Sequence, residues 1–121
     1  MRILQVVHSF LPYTMAGTEV YSYRLSKELA KKHELFVFFR MNNPNEKEYV
    51  IHSENLDGLK TYAINNTFRY CESFRNTYRN SIIDKKFGEL LDKIKPHIVH
   101  IHHLLFLSHG LVDEAKKRNI P

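Results

Sequence analysis

Two kinds of hydrophobic pattern alternate along the chain. Residues 3–7 and 35–39 are apolar at almost every position, a pattern typical of strands that are covered on both faces of a parallel sheet. Between them, apolar residues recur at helical spacing, which predicts an amphipathic helix that begins at Glu19 and runs for about thirteen residues. A strand, a helix and a strand in this order form a βαβ unit, and its crossover is expected to be right-handed.

The apolar side of this first helix is predicted to pack on the sheet. Tyr21, Leu25 and Leu29 recur every four residues, while most charged side chains fall on the other sides of the helix. We therefore expect these three side chains to lie in the core.

The middle of the chain is less regular. Residues 40–48 are polar and rich in turn-forming residues, and they predict a loop at the same edge of the sheet as the first loop. Residues 49–52 and 60–64 flank an Asp-Gly pair, an arrangement typical of a β-hairpin. Three aromatic residues that lie four apart predict a helix within residues 65–80. This aromatic stripe consists of Tyr70, Phe74 and Tyr78.

The last part of the chain repeats the alternation of helix and strand. One side of residues 81–95 is apolar, which predicts a helix that Pro96 prevents from continuing. A strand over residues 98–103, a loop over residues 104–108 and a helix over residues 110–118 are predicted to follow.

This order of elements predicts a single α/β domain over residues 1–121. Its fold is expected to be a Rossmann-like, open and mostly parallel sheet with helices on both faces. Residues 119–121 look like the approach to a further strand, so we expect the sheet to be truncated before it is complete. The chain is then either a piece of a longer protein or a domain that awaits a partner.

Composition narrows the class of protein. Hydrophobic residues make up 43% of the chain and charged residues 26%, as in ordinary soluble globular proteins. The net charge of +5 is moderate, and no nucleic-acid partner is predicted from it. The single cysteine, Cys71, has no partner for an internal disulfide, and we expect its thiol to be buried as a small hydrophobic group. No apolar run approaches the ~20 residues of a membrane span, so we expect a cytoplasmic protein that is soluble or at most peripheral at the inner face of the membrane.

The loop between the first strand and the first helix carries the main candidate site. A loop that leads from the carboxyl end of a parallel strand into a helix presents unpaired N–H groups and the positive end of the helix dipole. The amides of Ala16, Gly17 and Thr18 occupy this place and predict a binding site for phosphate. The alternative is structural: Gly17 turns the chain and Thr18 caps the helix.

Several histidines follow predicted strands. Ligands of open α/β sheets gather beyond the carboxyl ends of the strands, where His8, His102 and His103 lie, so we expect these side chains to line a substrate cleft. Tyr13, in the first loop, is a further candidate contact for a substrate. His100 and His102 share one face of a strand, but no further ligand stands at a recognisable spacing, so no metal site is predicted.

The aromatic stripe allows two interpretations, because Arg69, Arg75 and Arg79 are interleaved with it. A basic amphipathic segment of this kind can rest on an anionic membrane or grip a substrate. Such a stripe is more often part of the core with a solvated cationic flank, and this is the outcome that we expect.

Two segments resemble the N-terminal domain of the family 4 glycosyltransferases, which have the GT-B fold. In that family a Pro, a short spacer, Gly-Gly, one residue and then Glu follow the first strand. The corresponding residues here are Pro12, Ala16, Gly17, Thr18 and Glu19. Residues 95–103 resemble the family's Lys-Pro-Asp-Ile-Val-His strand, and the chain departs from the pattern by having Ala16 for the first glycine and His97 for the aspartate.

The resemblance implies a glycosyltransferase of the hexosyltransferase type. It would move a sugar, with retention, from a nucleotide-sugar donor to a carbohydrate or lipid-linked acceptor, without a cofactor. This chain would supply the acceptor side and one wall of the donor cleft, with the Gly17 loop near the donor diphosphate and Tyr13 near the acceptor. The family's C-terminal donor-binding domain and the strand that precedes its usual N-domain histidine are absent here. The fragment alone is therefore expected to be inactive, and no catalytic residue is assigned.

Two other classes of protein are alternatives. One is a stand-alone α/β nucleotide- or phosphate-binding module without catalysis, and the other is a basic nucleic-acid binder. A dinucleotide-binding module is disfavoured because the Gly-x-Gly-x-x-Gly pattern is missing and because Arg40 and Met41, instead of an acidic residue, follow the second apolar run.

Overall fold

Five strands form one sheet in the computed structural model, which describes all residues 1–121. In chain order they are β1 (Arg2–Val7), β2 (Glu34–Met41), β3 (Ile51–Leu56), β4 (Leu59–Asn65) and β5 (Ile98–Ile101). The helices are α1 (Gly17–Leu29), α2 (Ser81–Ile94) and α3 (Gly110–Lys117). The sheet order is β3-β4-β2-β1-β5, and only β3 runs antiparallel to its neighbour. The predicted open, mostly parallel α/β sheet is confirmed.

The centre of the sheet is β1, which pairs in parallel with both β2 and β5. Val6 stands opposite Phe38 on one side and opposite Ile101 on the other. The side chains of β1 are almost completely buried, because helices or loops cover both faces of the sheet at this strand. An apolar run without alternation is therefore what this position requires.

Helices cover both faces, as predicted. On one face, even-numbered residues of β1 and β2 pack with α2 and α3 around Phe87 and Leu111. On the other face, odd-numbered residues of the same strands pack with α1 through Tyr23 and Leu29. Each of these strands thus contributes alternate side chains to two cores, one on each face of the sheet.

The predicted buried face of α1 is confirmed at Leu29, which packs against the core, but is wrong at Tyr21 and Leu25. The fully buried residues of this helix are Glu19, Ser22 and Ser26, whereas Tyr21 is 61% exposed and Leu25 is only partly buried. The small serine side chains let the helix lie close to the sheet. The buried Ser22 hydroxyl donates a hydrogen bond to the Glu19 carbonyl of its own helix. Apolar residues are left on the outer side of the helix.

The predicted hairpin is confirmed, with β3 and β4 joined by Asp57 and Gly58. Both turn residues have positive φ, 51° and 83°, the conformation that a two-residue turn between twisted strands requires and that Gly adopts without strain. The Asn55 side chain accepts a hydrogen bond from the Gly58 amide at 2.9 Å.

The predicted helix within residues 65–80 is wrong. Only a single short 3-10 helix, Phe74–Thr77, forms there. Asn65 and Asn66 are buried and use their side chains to bind backbone groups of distant loops, which holds the start of this segment in an irregular path. The four-residue spacing of the aromatic side chains therefore does not reflect an α-helix.

The aromatic stripe and the cysteine are exposed. Phe74 is 82% exposed, Tyr70 is 63% exposed, and the Cys71 thiol also faces solvent. The prediction of core packing for the stripe and the prediction of a buried thiol are therefore both wrong. Without a helix to turn them inward, these side chains remain on the surface.

The chain after α3 returns to the free edge of β5. The Val99 amide donates to the Pro121 carbonyl at 2.9 Å, as expected for residues that approach a further strand. A membrane span needs a longer and more apolar helix than any of the three in this fold.

The start of α2 is fixed by Asn80, which is 9% exposed. Its side-chain oxygen accepts from the Ile82 and Ile83 amides at 3.0 and 3.2 Å, and its amide group donates to the Tyr49 hydroxyl. The cap thereby joins the helix that covers one face of the sheet to the loop before β3.

We predict that Asn80→Ala lowers the free energy of unfolding by about 1–2 kcal/mol, because two helix amides lose their acceptor. Urea denaturation monitored by circular dichroism measures the change. Asn80→Asp keeps an acceptor oxygen at the helix start and is expected to stay close to the wild type. Equal stability of Asn80→Ala and the wild type would show that the cap contributes nothing.

Candidate functional site

The candidate site lies where the parallel strands end. The four parallel strands have their carboxyl ends along one border of the sheet, and this border is the edge meant below. The loops that follow β1, β2, β4 and β5 meet there. Open α/β sheets bind ligands at this edge. The order β4-β2-β1-β5 places the loop after β1 near the middle of the row.

The N-terminus of α1 opens onto this edge with unpaired amides. The backbone N–H groups of Ala16, Gly17, Thr18 and Glu19 donate to no protein group, and no side chain caps the helix. Ala16 is the extended N-cap residue, so the alternative in which Thr18 caps the helix is wrong. These amides carry the positive end of the helix dipole.

Gly17 leaves open space at this helix start. It is the first helical residue, its φ is not in the left-handed region, and a Cβ atom added to it would meet no atom within 4 Å. The fold therefore does not need glycine here, either for a turn or for close packing. Without a side chain, Gly17 leaves space open beside the first amides of α1.

His8 and Glu19 form a buried pair beside this helix start. The Glu19 side chain is 3% exposed, and its Oε1 lies 3.2 Å from Nε2 of His8, which follows β1. Burial lowers the pKa of His8 below its ordinary value, and Glu19 opposes this change. His103 and Arg40 lower the pKa of His8 further, which favours the neutral imidazole.

His103 joins His8 at the edge, whereas His102 does not. The rings of His8 and His103 lie 4.8 Å apart, which brings the ends of β1 and β5 together. The His102 ring hydrogen-bonds to Gln5 within β1 and contacts the rings of His100 and Tyr21. Burial, and to a smaller extent His100, lowers the pKa of His102.

Tyr13 lies towards the other side of the sheet. Its hydroxyl donates to Glu54 of β3 at 3.0 Å, and its ring packs 5.9 Å from that of Phe39. Tyr13 therefore contacts β2 and β3 at this end of the sheet. Its role as a substrate contact stays a prediction, as do those of the other candidate residues.

A second group of residues at this edge was not predicted. Arg40 is the second-to-last residue of β2. Its Nε donates to the Asn66 carbonyl at 2.8 Å. Its guanidinium carbon lies 5.4 Å from the ring centre of Phe68 and 4.8 Å from that of Phe106. Asn66 is 1% exposed and binds both aromatic loops, accepting from the Phe68 amide and donating to the Phe106 carbonyl.

Both phenylalanines have left-handed backbone conformations. The φ angles of Phe68 and Phe106 are 61° and 63°, which costs roughly 1–2 kcal/mol for a residue with a Cβ atom. The Asn66 hydrogen bonds and the contacts with Arg40 hold them there. The only signal in the sequence is a cation, Arg40, directly after an apolar run at the carboxyl end of a buried strand.

The comparisons with known proteins agree with this architecture. The model of a family described as Glycosyltransferase Family 4 matches residues 15–121, which is most of the chain and includes the helix start at Gly17. No match is found among curated proteins. His8 and Tyr13 precede the matched range, while His102 and His103 fall within it. This chain belongs to glycosyltransferase family 4.

Proposed function

We propose that the protein transfers a hexose from a nucleotide-sugar donor to a carbohydrate or lipid-linked acceptor, with retention. In this proposal residues 1–121 form the acceptor-side domain of a GT-B enzyme and one wall of its donor cleft. The family accounts for a sugar donor and an acceptor in general. Because the family's nucleotide contacts come chiefly from a C-terminal domain, residues 1–121 alone are expected to be inactive.

The observation that carries this proposal is the uncapped N-terminus of α1. Cleavage of a nucleotide sugar leaves a diphosphate on which negative charge develops. The amides of residues 16–19 are unpaired and lie at the positive end of a helix dipole, and the space beside Gly17 is open. Fixed dipoles of this kind stabilise the leaving group without reorganisation.

The electrostatics of the His8–Glu19 pair also favour binding of a diphosphate at the α1 amides. The Glu19 carboxylate belongs to the first turn of α1, but it is turned into the protein beside His8 and is nearly inaccessible. The lowered pKa of His8 favours its neutral form, so the helix dipole is the positive group at the start of α1. A diphosphate would therefore meet hydrogen-bond donors and little exposed negative charge.

We further propose that the protein works in the cytoplasm with peripheral contact at the inner face of the membrane. The support is the aromatic stripe, in which Phe74 and Tyr70 are largely exposed. Arg75 directly follows Phe74 in sequence, is exposed, and has no carboxylate within 4.0 Å. Aromatic side chains beside a cation suit the interface of an anionic lipid surface.

We predict that Gly17→Val lowers kcat/KM for sugar transfer by at least about tenfold, since a branched side chain would stand where the diphosphate approaches the amides. Initial rates of the intact protein with a panel of sugar nucleotides measure the effect. Thermal unfolding should be unchanged, because a Cβ atom meets nothing there. Ala30→Val, at the exposed opposite end of α1, is the matched control. Unchanged kinetics of Gly17→Val would refute the proposed role of the helix start.

We predict that Glu19→Gln lowers the pKa of His8, because it removes the carboxylate that favours the imidazolium form. NMR titration of the imidazole ring protons measures the pKa. The His8 pKa is already below its ordinary value of 6.5, so the folded state binds fewer protons than the unfolded state and stability falls as the pH falls below neutrality. In Glu19→Gln this loss extends to lower pH. Glu28→Gln, on the exposed side of α1, should leave the titration unchanged, and a higher His8 pKa in Glu19→Gln would contradict the assignment.

We predict that Phe74→Ser reduces co-sedimentation with phosphatidylglycerol vesicles by at least about threefold, because the most exposed aromatic ring of the stripe can no longer enter the lipid interface. Added salt should weaken the binding of the wild type. Tyr21→Ser, which removes an exposed ring from α1, is the control and should bind as the wild type does. Equal binding of the wild type to neutral and anionic vesicles would overturn the membrane proposal.

A further inference from the structure

Arg40 is a partly buried cation whose terminal amino groups are unpaired. Its Nε donates to the Asn66 carbonyl, but neither terminal nitrogen donates to a protein group, and no carboxylate lies within 4.0 Å. Arg118, another partly exposed arginine, uses all three nitrogens on Asp92 and Glu114. The fold therefore gives every nitrogen of Arg118 a partner, whereas the two terminal nitrogens of Arg40 have none.

Glu48, the acid that acts on Arg40, does not neutralise it. Glu48 acts on Arg40 only at a distance, and its carboxylate already accepts from the Thr67 amide and hydroxyl and from the Arg69 amide. Burial lowers the pKa of Arg40 from its ordinary value more than Glu48 raises it, but the group remains cationic. A buried charge without a counter-ion is unfavourable, and an anionic ligand would remove that cost.

The surroundings of Arg40 fix its direction. The rings of Phe68 and Phe106 contact the guanidinium, and Asn66 holds the backbone of both phenylalanine loops. The two loops take left-handed conformations at these residues. A planar fork that is held in this way suits two parallel hydrogen bonds to a phosphate or a carboxylate.

Arg40 and the N-terminus of α1 belong to opposite faces of the sheet. Phe38, two residues before Arg40 in β2, packs in the core under α2 and α3, and alternate strand residues share a face. The α1 helix covers the other face through Tyr23 and Leu29. The donor site proposed above and the Arg40 fork thus lie on different faces of the sheet, and His8 is coupled to Glu19 of α1 and to Arg40.

We propose that Arg40 binds an anionic group of the acceptor, so that the acceptor of this enzyme carries a phosphate or a carboxylate. The inference rests on the proposed glycosyl transfer, and it adds the chemical class of the acceptor and the residue that selects it. Phe68 and Phe106 act as positioning residues for the guanidinium. The neutral part of the acceptor would lie along the edge towards His8.

The test is binding of three probes to the intact protein by isothermal titration calorimetry: glucose 6-phosphate, glucuronate and methyl glucoside. The wild type is expected to bind at least one anionic probe about tenfold or more tightly than methyl glucoside, and the better anion distinguishes a phosphate from a carboxylate acceptor. Arg40→Gln should lose this preference. Arg40→Lys keeps the charge but not the planar fork, so its preference for the anionic probe should be intermediate. This variant replaces Arg40→Gln in the test if Arg40→Gln does not fold. Arg24→Gln, an exposed arginine on α1, should bind as the wild type does.

Sugar-nucleotide binding separates this inference from the proposed function. Arg40→Gln should bind sugar nucleotides as the wild type does, and Gly17→Val should keep the preference for the anionic probe. The inference is overturned if the wild type binds all three probes equally, if both Arg40 variants keep the preference, or if Arg40→Gln loses sugar-nucleotide binding and so places Arg40 in the donor site. If no sugar nucleotide binds to the wild type while the Arg40-dependent preference is present, the proposed function fails and the anion site stands.

Discussion

The parallel pairing of β1 with two neighbours is the constraint on which the rest of the structure depends. Both faces of β1 are covered, and its register places Val7 opposite Phe39 and Val6 opposite Ile101. A shift of one residue would move each side chain to the other face and draw His8 or Arg40 into a core. Burial of an unpaired charge costs several kcal/mol, so the polar residues after the strands help to fix the register. The same register aligns the ends of the strands at one edge.

A second layer of structure at this edge depends on buried amides instead of apolar packing. Asn65 ends β4 and holds the loop before β3 with bonds to backbone groups of Asn43 and Lys47. Asn66 holds the loops of Phe68 and Phe106 in the same way. Each such bond contributes about 1 kcal/mol, and a buried amide that lost its partners would cost more. Irregular loops therefore become fixed walls of a site.

The sequence predicts elements well where burial is two-sided or where helical periodicity is strong. The strands, the hairpin at Asp57-Gly58 and α2 follow directly from such patterns, and so does the placing of Gly17 at a helix start. Prediction fails where a few specific contacts decide the structure. The aromatic stripe has a helical period, but Asn65 and Asn66 bind distant backbone groups, and nothing in a local pattern reveals those partners. In α1 the small serine residues lie inward because close approach to the sheet outweighs the burial of Tyr21.

Site residues were predictable only where they belong to the loop that links a strand to a helix. His8 and His103 come together because β1 and β5 are neighbours, and this follows from the fold class. Arg40 was missed because its importance lies in an unpaired fork and in the positions of Phe68 and Phe106, which are far away in sequence. A single cation after a strand carries too little information to predict such a cluster.

The charges at this edge are coupled through His8. Burial, His103 and Arg40 lower the pKa of the His8 imidazole, whereas Glu19 raises it. An anion bound at either the α1 amides or Arg40 would offset positive potential near His8 and thereby favour its protonated form. By linkage, protonation of His8 would then strengthen the binding of that anion by the same factor. His8, coupled to both Glu19 and Arg40, thus makes this edge responsive to the charge of what it binds.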